Sequence, residues 1–256
     1  MSPLDKAWDY DGLKTLVGKG PKLAFLSVLC SELFRWTKEV TESHRLFPGG
    51  YTEWTLAGHF AIAASRKKYL PFQDAMIKSP KSKAKNASNR RRRPDLYIDG
   101  GKDKPRVFFQ FKQGATRLVK IDPRETIKIL PHMREANKQL KEIRGIADAM
   151  EWPADWGCCA LGLVVEMNWQ DAGGDLWHHK QYNSSWDGLK ERFQEVLENN
   201  KRKFLDYGKA YYSWYRMPHS LVQKQRDWAE KYKWNPPIGM LWVFTVKEWD
   251  KLPKIR

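Results

Sequence analysis

Hydrophobic and polar positions recur with two different periods along this chain, and the switches between them mark its elements. Over residues 22 to 42, Leu23, Leu26, Cys30, Leu33 and Phe34 return at three- and four-residue intervals, the stripe of an amphipathic helix. His44 through Gly50 reads as a break. A second helix follows, with Glu53, Ala57, Phe60, Ala61 and Ala64 on one face and Pro71 as its stop. The period then falls to two. Leu96 and Ile98 alternate with Asp95, Tyr97 and Asp99, and Val107, Phe109 and Phe111 alternate with Phe108, Gln110 and Lys112, as in half-buried strands. Between them, Asp99-Gly100-Gly101-Lys102-Asp103-Lys104-Pro105 has hairpin-turn chemistry. A turn centred between Lys102 and Asp103 sets Asp95 opposite Gln110, with Cβ atoms about 4.5 to 5.5 Å apart.

Farther on, Ile127, Leu130, Ala136, Leu140, Ile143 and Ala147 predict a crossover helix within Pro123 to Met150, interrupted or bent at Pro131. Cys158 to Met167 is almost wholly apolar and reads as a buried central strand. Asp171 to Asp175 reads as a loop, and His178 and His179 after it lack the spacing of a zinc site. Phe204, Tyr207, Tyr211, Trp214 and Tyr215 fall on one helical stripe, for which core packing is a better use than base stacking. Trp228 and Trp234 are placed on another helix, and Ile238 to Trp249 adds a terminal strand. The expectation is an α/β fold of one domain over residues 1–256. Its mixed β-sheet, flanked by helices, has a core at about 50–168, with a helical part over 1–48 and a helical, aromatic extension over 175–256.

Charge adds a class of partner. The 46 Lys and Arg residues against 30 Asp and Glu give a net charge of +16. Such an excess favours a polyanion, because neutralising phosphates releases counterions. Eight basic residues and no acidic one lie between Lys78 and Arg93: Lys78, Lys81, Lys83, Lys85, Arg90, Arg91, Arg92 and Arg93. Like charges at this density disfavour compact structure, so the segment reads as an arm that grips a phosphate backbone and feeds directly into Asp95. The three cysteines form neither a metal knuckle nor a disulfide framework, which points to a reducing, cytoplasmic setting. No secretory pattern and no apolar run long enough to span a bilayer is present, so no membrane partner is expected. Nor is there an internal repeat, a phosphate-binding glycine loop or a serine-hydrolase elbow.

Pro94-Asp95 followed by Gln110-Phe111-Lys112 at the end of an apolar strand resembles the PD-(D/E)XK nuclease superfamily, with Gln in the position usually held by Glu or Asp. The direct resemblance covers about residues 94 to 114. It implies a restriction-endonuclease-like fold and a DNA-cleaving, Mg²⁺- or Mn²⁺-dependent phosphodiesterase leaving a 5′-phosphate. The setting implied is bacterial or phage, in restriction, defence, transposition or repair. Asp95, the Gln110 side-chain oxygen and the Phe111 carbonyl would hold the cation, which wants oxygen ligands and keeps several waters. Lys112 would orient or activate water. The family usually adds an acid from a preceding helix, for which Glu53 is the best candidate and Glu39 and Glu42 are weaker ones. Replacing Glu by Gln removes one negative charge from the shell. That leaves open a nuclease-fold protein that binds DNA, a protein partner or a second copy of itself without cutting, and charge alone leaves RNA open as the polymer.

Overall fold

The computed structural model describes residues 8–18, 23–44, 47, 53–73, 94–118, 128–149, 152–170 and 177–253, without the side chains of residues 53, 54, 146, 149 and 179. The strands are β1 (Asp9–Tyr10), β2 (Lys14–Val17), β3 (Leu70–Gln73), β4 (Leu96–Asp99), β5 (Val107–Arg117), β6 (Trp156–Glu166), β7 (Lys209–Arg216) and β8 (Pro237–Glu248). The helices are α1 (Ala24–His44), α2 (Glu53–Arg66), α3 (Leu130–Ala149), α4 (His179–Asn199), α5 (Lys201–Leu205), α6 (His219–Gln223) and α7 (Arg226–Tyr232). All eight strands form one open mixed sheet in the order β1-β7-β8-β6-β5-β4-β3, with β2 also on β7. Among the described residues only β5 and β6 run parallel, and α3 lies between them in the chain; the other pairings are antiparallel.

Side-chain alternation assigns the helices to the two faces. On one face Phe60 of α2 packs against Phe109, Phe111, Trp242 and Phe244, and Phe34 of α1 packs against Tyr215. On the other, Leu140 of α3 fills the space above Gly157, and Trp186 of α4 fills that above Gly239. A Cβ on Gly157 would stand 2.9 Å from Leu140, so the missing side chain is what admits the helix. The result is a three-layer α/β/α arrangement with α1 and α2 beneath the sheet and α3 and α4 above it.

Several expected elements take a different form. The aromatic run Tyr211, Trp214 and Tyr215 is not helical: it lies in strand β7, where alternate residues face opposite layers. Tyr211, Trp214 and Tyr215 are all buried, Tyr212 meets Phe193 of α4, and Tyr215 meets Phe34 of α1. A strand covered on both faces carries apolar residues in succession, which mimics a helical stripe. The terminal strand expected over Ile238 to Trp249 is β8, which lies inside the sheet between β6 and β7. Residues 1–48 are not wholly helical, since β1 and β2 pair with β7. Helix α2 ends at Arg66, and Pro71 lies within the short edge strand β3, where its missing N–H costs little. Pro131 is in the first turn of α3, a position that tolerates proline, and therefore does not bend the helix. Both histidines belong to the start of α4, His178 at its N-cap and His179 as its first residue, rather than to an irregular segment.

Candidate functional site

The β4–β5 hairpin builds the site. Gly101 takes a positive φ of 69°, its N–H donates to Asp99 Oδ1 at 2.8 Å, and a Cβ on Gly100 would stand 2.4 Å from the Lys104 carbonyl oxygen. These requirements hold the turn at one length. The register that follows pairs Leu96 with Phe109, Tyr97 with Phe108 and Ile98 with Val107. Continued by one residue, it sets Asp95 opposite Gln110, as the position of the turn predicts. The contact is direct: Gln110 Nε2 donates to Asp95 Oδ2 at 2.5 Å, and the Phe111 N–H donates to the same oxygen at 2.6 Å.

The expected half-burial of β5 is exceeded. Phe108 is fully buried and Gln110 is 4% exposed, because α3 covers the face that the polar residues share. Burial makes the partners of Gln110 informative. Its amide nitrogen is satisfied by Asp95, whereas its Oε1 is buried without a hydrogen-bond partner. An orphaned buried acceptor costs about 1 to 3 kcal/mol. It lies next to a carboxylate and is one of the atoms that a hard cation would use. A strand residue points its N–H and C=O to the same side, so the Phe111 carbonyl faces the side on which its N–H meets Asp95. Among the described residues no strand pairs with β5 on that side beyond Phe109. The donor set of one carboxylate, one amide oxygen and one main-chain carbonyl therefore fits a divalent cation that keeps several waters. It is a lean set, since no group of three His, Cys, Asp or Glu side chains converges among the described residues.

Lys112 lies two residues along β5 on the same face as Gln110 and is half-buried. Cys159, the β6 neighbour of Gln110, reports on the surroundings of both. Burial pushes its thiol up to about 12, a hydrogen bond to Thr245 and the charges of Lys141 and Lys112 act to lower it, and Asp95 acts to raise it. Asp95, Lys112 and Lys141 thus act on one buried sulfur, and the thiol stays protonated rather than serving as a nucleophile. Lys141 on α3 is a cation that sequence reading missed, and one turn before it the helix carries the buried amide of Asn137. The signal was available in the stripe of α3, where Asn137 interrupts an otherwise apolar face between Ala136 and Leu140.

Glu53 is the first residue of α2, whose Phe60 packs on Phe109 and Phe111. The helix expected to bring a further acid therefore covers the face of β5 opposite to Gln110 and Lys112; the side chain of Glu53 itself lies outside the described residues. Glu39 and Glu42 are engaged on α1, Glu39 with Arg66 at 2.9 Å and Glu42 with the Trp8 indole at 3.0 Å. Lys78, Lys81, Lys83, Lys85, Arg90, Arg91, Arg92 and Arg93, the expected grip on the backbone, lie outside the described residues. No helix among the described residues is long and apolar enough to cross a membrane.

Comparison with protein-family models, with curated proteins and with solved structures returns no match to this chain.

Proposed function

We propose that this chain is a metal-dependent DNA nuclease of restriction-endonuclease-like fold, with its site at the β4–β5 hairpin. One observation carries the reading: Asp95 and Gln110 meet across two strands, and the buried amide oxygen of Gln110 has no partner beside that carboxylate. The order of elements from α2 to β6 supports it, being a helix, three antiparallel strands, a crossover helix and a parallel strand. In this reading Asp95, Gln110 Oε1 and the Phe111 carbonyl hold Mg²⁺ or Mn²⁺. When bound, such an ion polarises a phosphoryl oxygen and lowers the pKa of water.

The protein residues do the rest. Lys112 places its ammonium beside the scissile phosphate, where it orients water and offsets developing negative charge. The water oxygen bonds to phosphorus and the P–O3′ bond breaks, leaving a 5′-phosphate and a 3′-hydroxyl that takes up a proton. Lys141 adds positive charge from α3 on the same side, and the Lys78 to Arg93 segment supplies the backbone grip. The test is metal-dependent nicking of supercoiled plasmid by the wild type, Asp95→Asn and Lys112→Ala. Cleavage by the wild type alone is expected, and equal activity in all three would overturn the assignment.

A second reading has its own observation. Asp95 Oδ2 already accepts from both Gln110 and the Phe111 N–H, so the pair also serves as a latch closing the end of the hairpin. A latch with no cation describes a nuclease-fold protein that binds DNA or RNA without cutting. It predicts salt-sensitive binding that survives Asp95→Asn and no product with any divalent ion.

A further inference from the structure

Helix α7 presents two large aromatic side chains to solvent, Trp228 at 65% exposure and Tyr232 at 56%. They are one turn apart, with ring centroids 5.3 Å apart and planes tilted by 55°. Most tryptophans of this chain are buried or packed against the core, and Trp228 differs from them in its exposure. Four basic residues flank the pair (Lys224, Arg226, Lys231 and Lys233) against two acidic ones, Asp227 and Glu230. Arg226 and Glu230 neutralise each other at 2.9 Å, so the uncompensated charge around the rings is positive. Lys231 Nζ stands 4.9 Å from the Tyr232 ring centroid.

Lys233 adds an independent observation. It caps α7 in the left-handed conformation, with φ 53° and ψ 39°, a position where glycine is the default and a side chain is strained. The conformation directs its ammonium to 4.3 Å from the ring centroid of Trp169. The residue that caps α7 thus holds a cation over a further ring, that of the partly buried Trp169.

We propose that Trp228 and Tyr232, with Lys224, Lys231 and Lys233 around them, form a stacking platform for unpaired nucleotides. Rings that stack on any base beside cations that meet phosphates are the combination that single-stranded nucleic acid uses. A duplex keeps its base faces buried in its own stack and offers Trp228 nothing comparable. The platform lies at the end of the sheet toward which the Asp95 site opens. Met167 N donates to the Pro236 carbonyl at 3.0 Å and Trp169 N to Asn235 Oδ1 at 3.1 Å, which ties the α7–β8 connection to the C-terminal end of β6. Because β5 and β6 are parallel, that is also the end of β5 that runs on past Asp95. From Gln110 to the end of β5 is about 23 Å at the usual strand rise.

The inference rests on the nucleic-acid part of the proposed function and is independent of cleavage. The test measures anisotropy of a fluorescein-labelled 20-nucleotide oligothymidylate and of a duplex of equal length, in EDTA, with the full chain. The wild type is expected to prefer the single strand. Trp228→Ala/Tyr232→Ala should weaken single-strand binding about tenfold, leave duplex binding within about twofold, and leave the denaturation midpoint unchanged; Trp228→Phe should retain most of the affinity. Unchanged single-strand affinity in the double variant, or equal loss for both probes, would overturn the platform. Mn²⁺-dependent nicking by the wild type, measured in parallel, keeps the two proposals apart, because the anisotropy in EDTA reads the platform whether or not the hairpin site cleaves DNA.

Discussion

Two carboxylates on opposite faces of the sheet show what separates a structural polar cluster from one able to receive a ligand. Glu32 of α1, 2% exposed, meets Arg35 Nη2 at 2.6 Å, Arg66 Nε at 3.0 Å and Lys67 Nζ at 2.9 Å. Burial raises its pKa, but hydrogen bonds and charge from Arg35 and Lys67 outweigh this and hold it below the usual range. Both oxygens are spoken for, and the cluster pins the end of α2 to α1. Asp95, by contrast, meets a neutral amide whose other end is an orphaned buried oxygen. In the first cluster both carboxylate oxygens meet cations; in the second the Gln110 amide oxygen stays a buried acceptor that a cation would satisfy.

The largest effect that tests this contrast is on metal response. Asp95→Asn keeps an acceptor for the Phe111 N–H but removes the anionic ligand, so Mn²⁺-dependent thermal stabilisation and nicking should both fall about a hundredfold or more in apparent affinity and rate. Glu32→Gln should leave nicking per folded molecule unchanged while lowering stability in urea by about 2 kcal/mol. This is less than the 3 to 5 kcal/mol of a fully buried pair, because Arg35 and Lys67 reach solvent. The pH dependence sharpens the point. A carboxyl whose folded pKa is depressed stabilises the fold above its unfolded pKa near 4.5 and loses that contribution as pH falls through the folded value. Wild type should therefore lose its advantage over Glu32→Gln in urea melts below about pH 4.5.

Gln110→Glu makes the smaller, diagnostic change. It sets two carboxylates across the hairpin, which should lower the stability of the metal-free protein by up to about 1 kcal/mol and enlarge the Mn²⁺-induced rise in Tm. Smallest of all should be Glu53→Gln. Because α2 packs on the face opposite Gln110, less than about a threefold change in nicking is expected; a loss approaching that of Asp95→Asn would give Glu53 a ligand role.

The hairpin was legible because two independent signals agree on it. Strand alternation puts Gln110 and Lys112 on one face, and a turn centred at Lys102 and Asp103 leaves a single register. Helices α1, α2 and α3 were visible as stripes, and β6 and β8 as apolar runs. What the pattern lacked was the third dimension. A stripe says which residues of α2 are buried but not which face of the sheet it covers, and α2 packs on the face of β5 opposite Gln110. In β7, Tyr211, Trp214 and Tyr215 have helical spacing, yet the strand is buried on both sides and carries aromatics on each, a case that periodicity cannot decide. The strands β1, β2 and β3, two to four residues long, are too short to show any period. The contribution of α3 was missed because Lys141 comes to act on the surroundings of Gln110 only through packing across more than twenty residues of sequence.

The most direct measurement is the anomalous difference density of a crystal of this protein soaked with Mn²⁺. A peak coordinated by the Asp95 carboxylate and the Gln110 side-chain oxygen, with the Gln110 amide turned from its present contact, is the result expected. A map with no peak there, and with Gln110 Nε2 still donating to Asp95, would contradict a metal site and leave the pair as a latch.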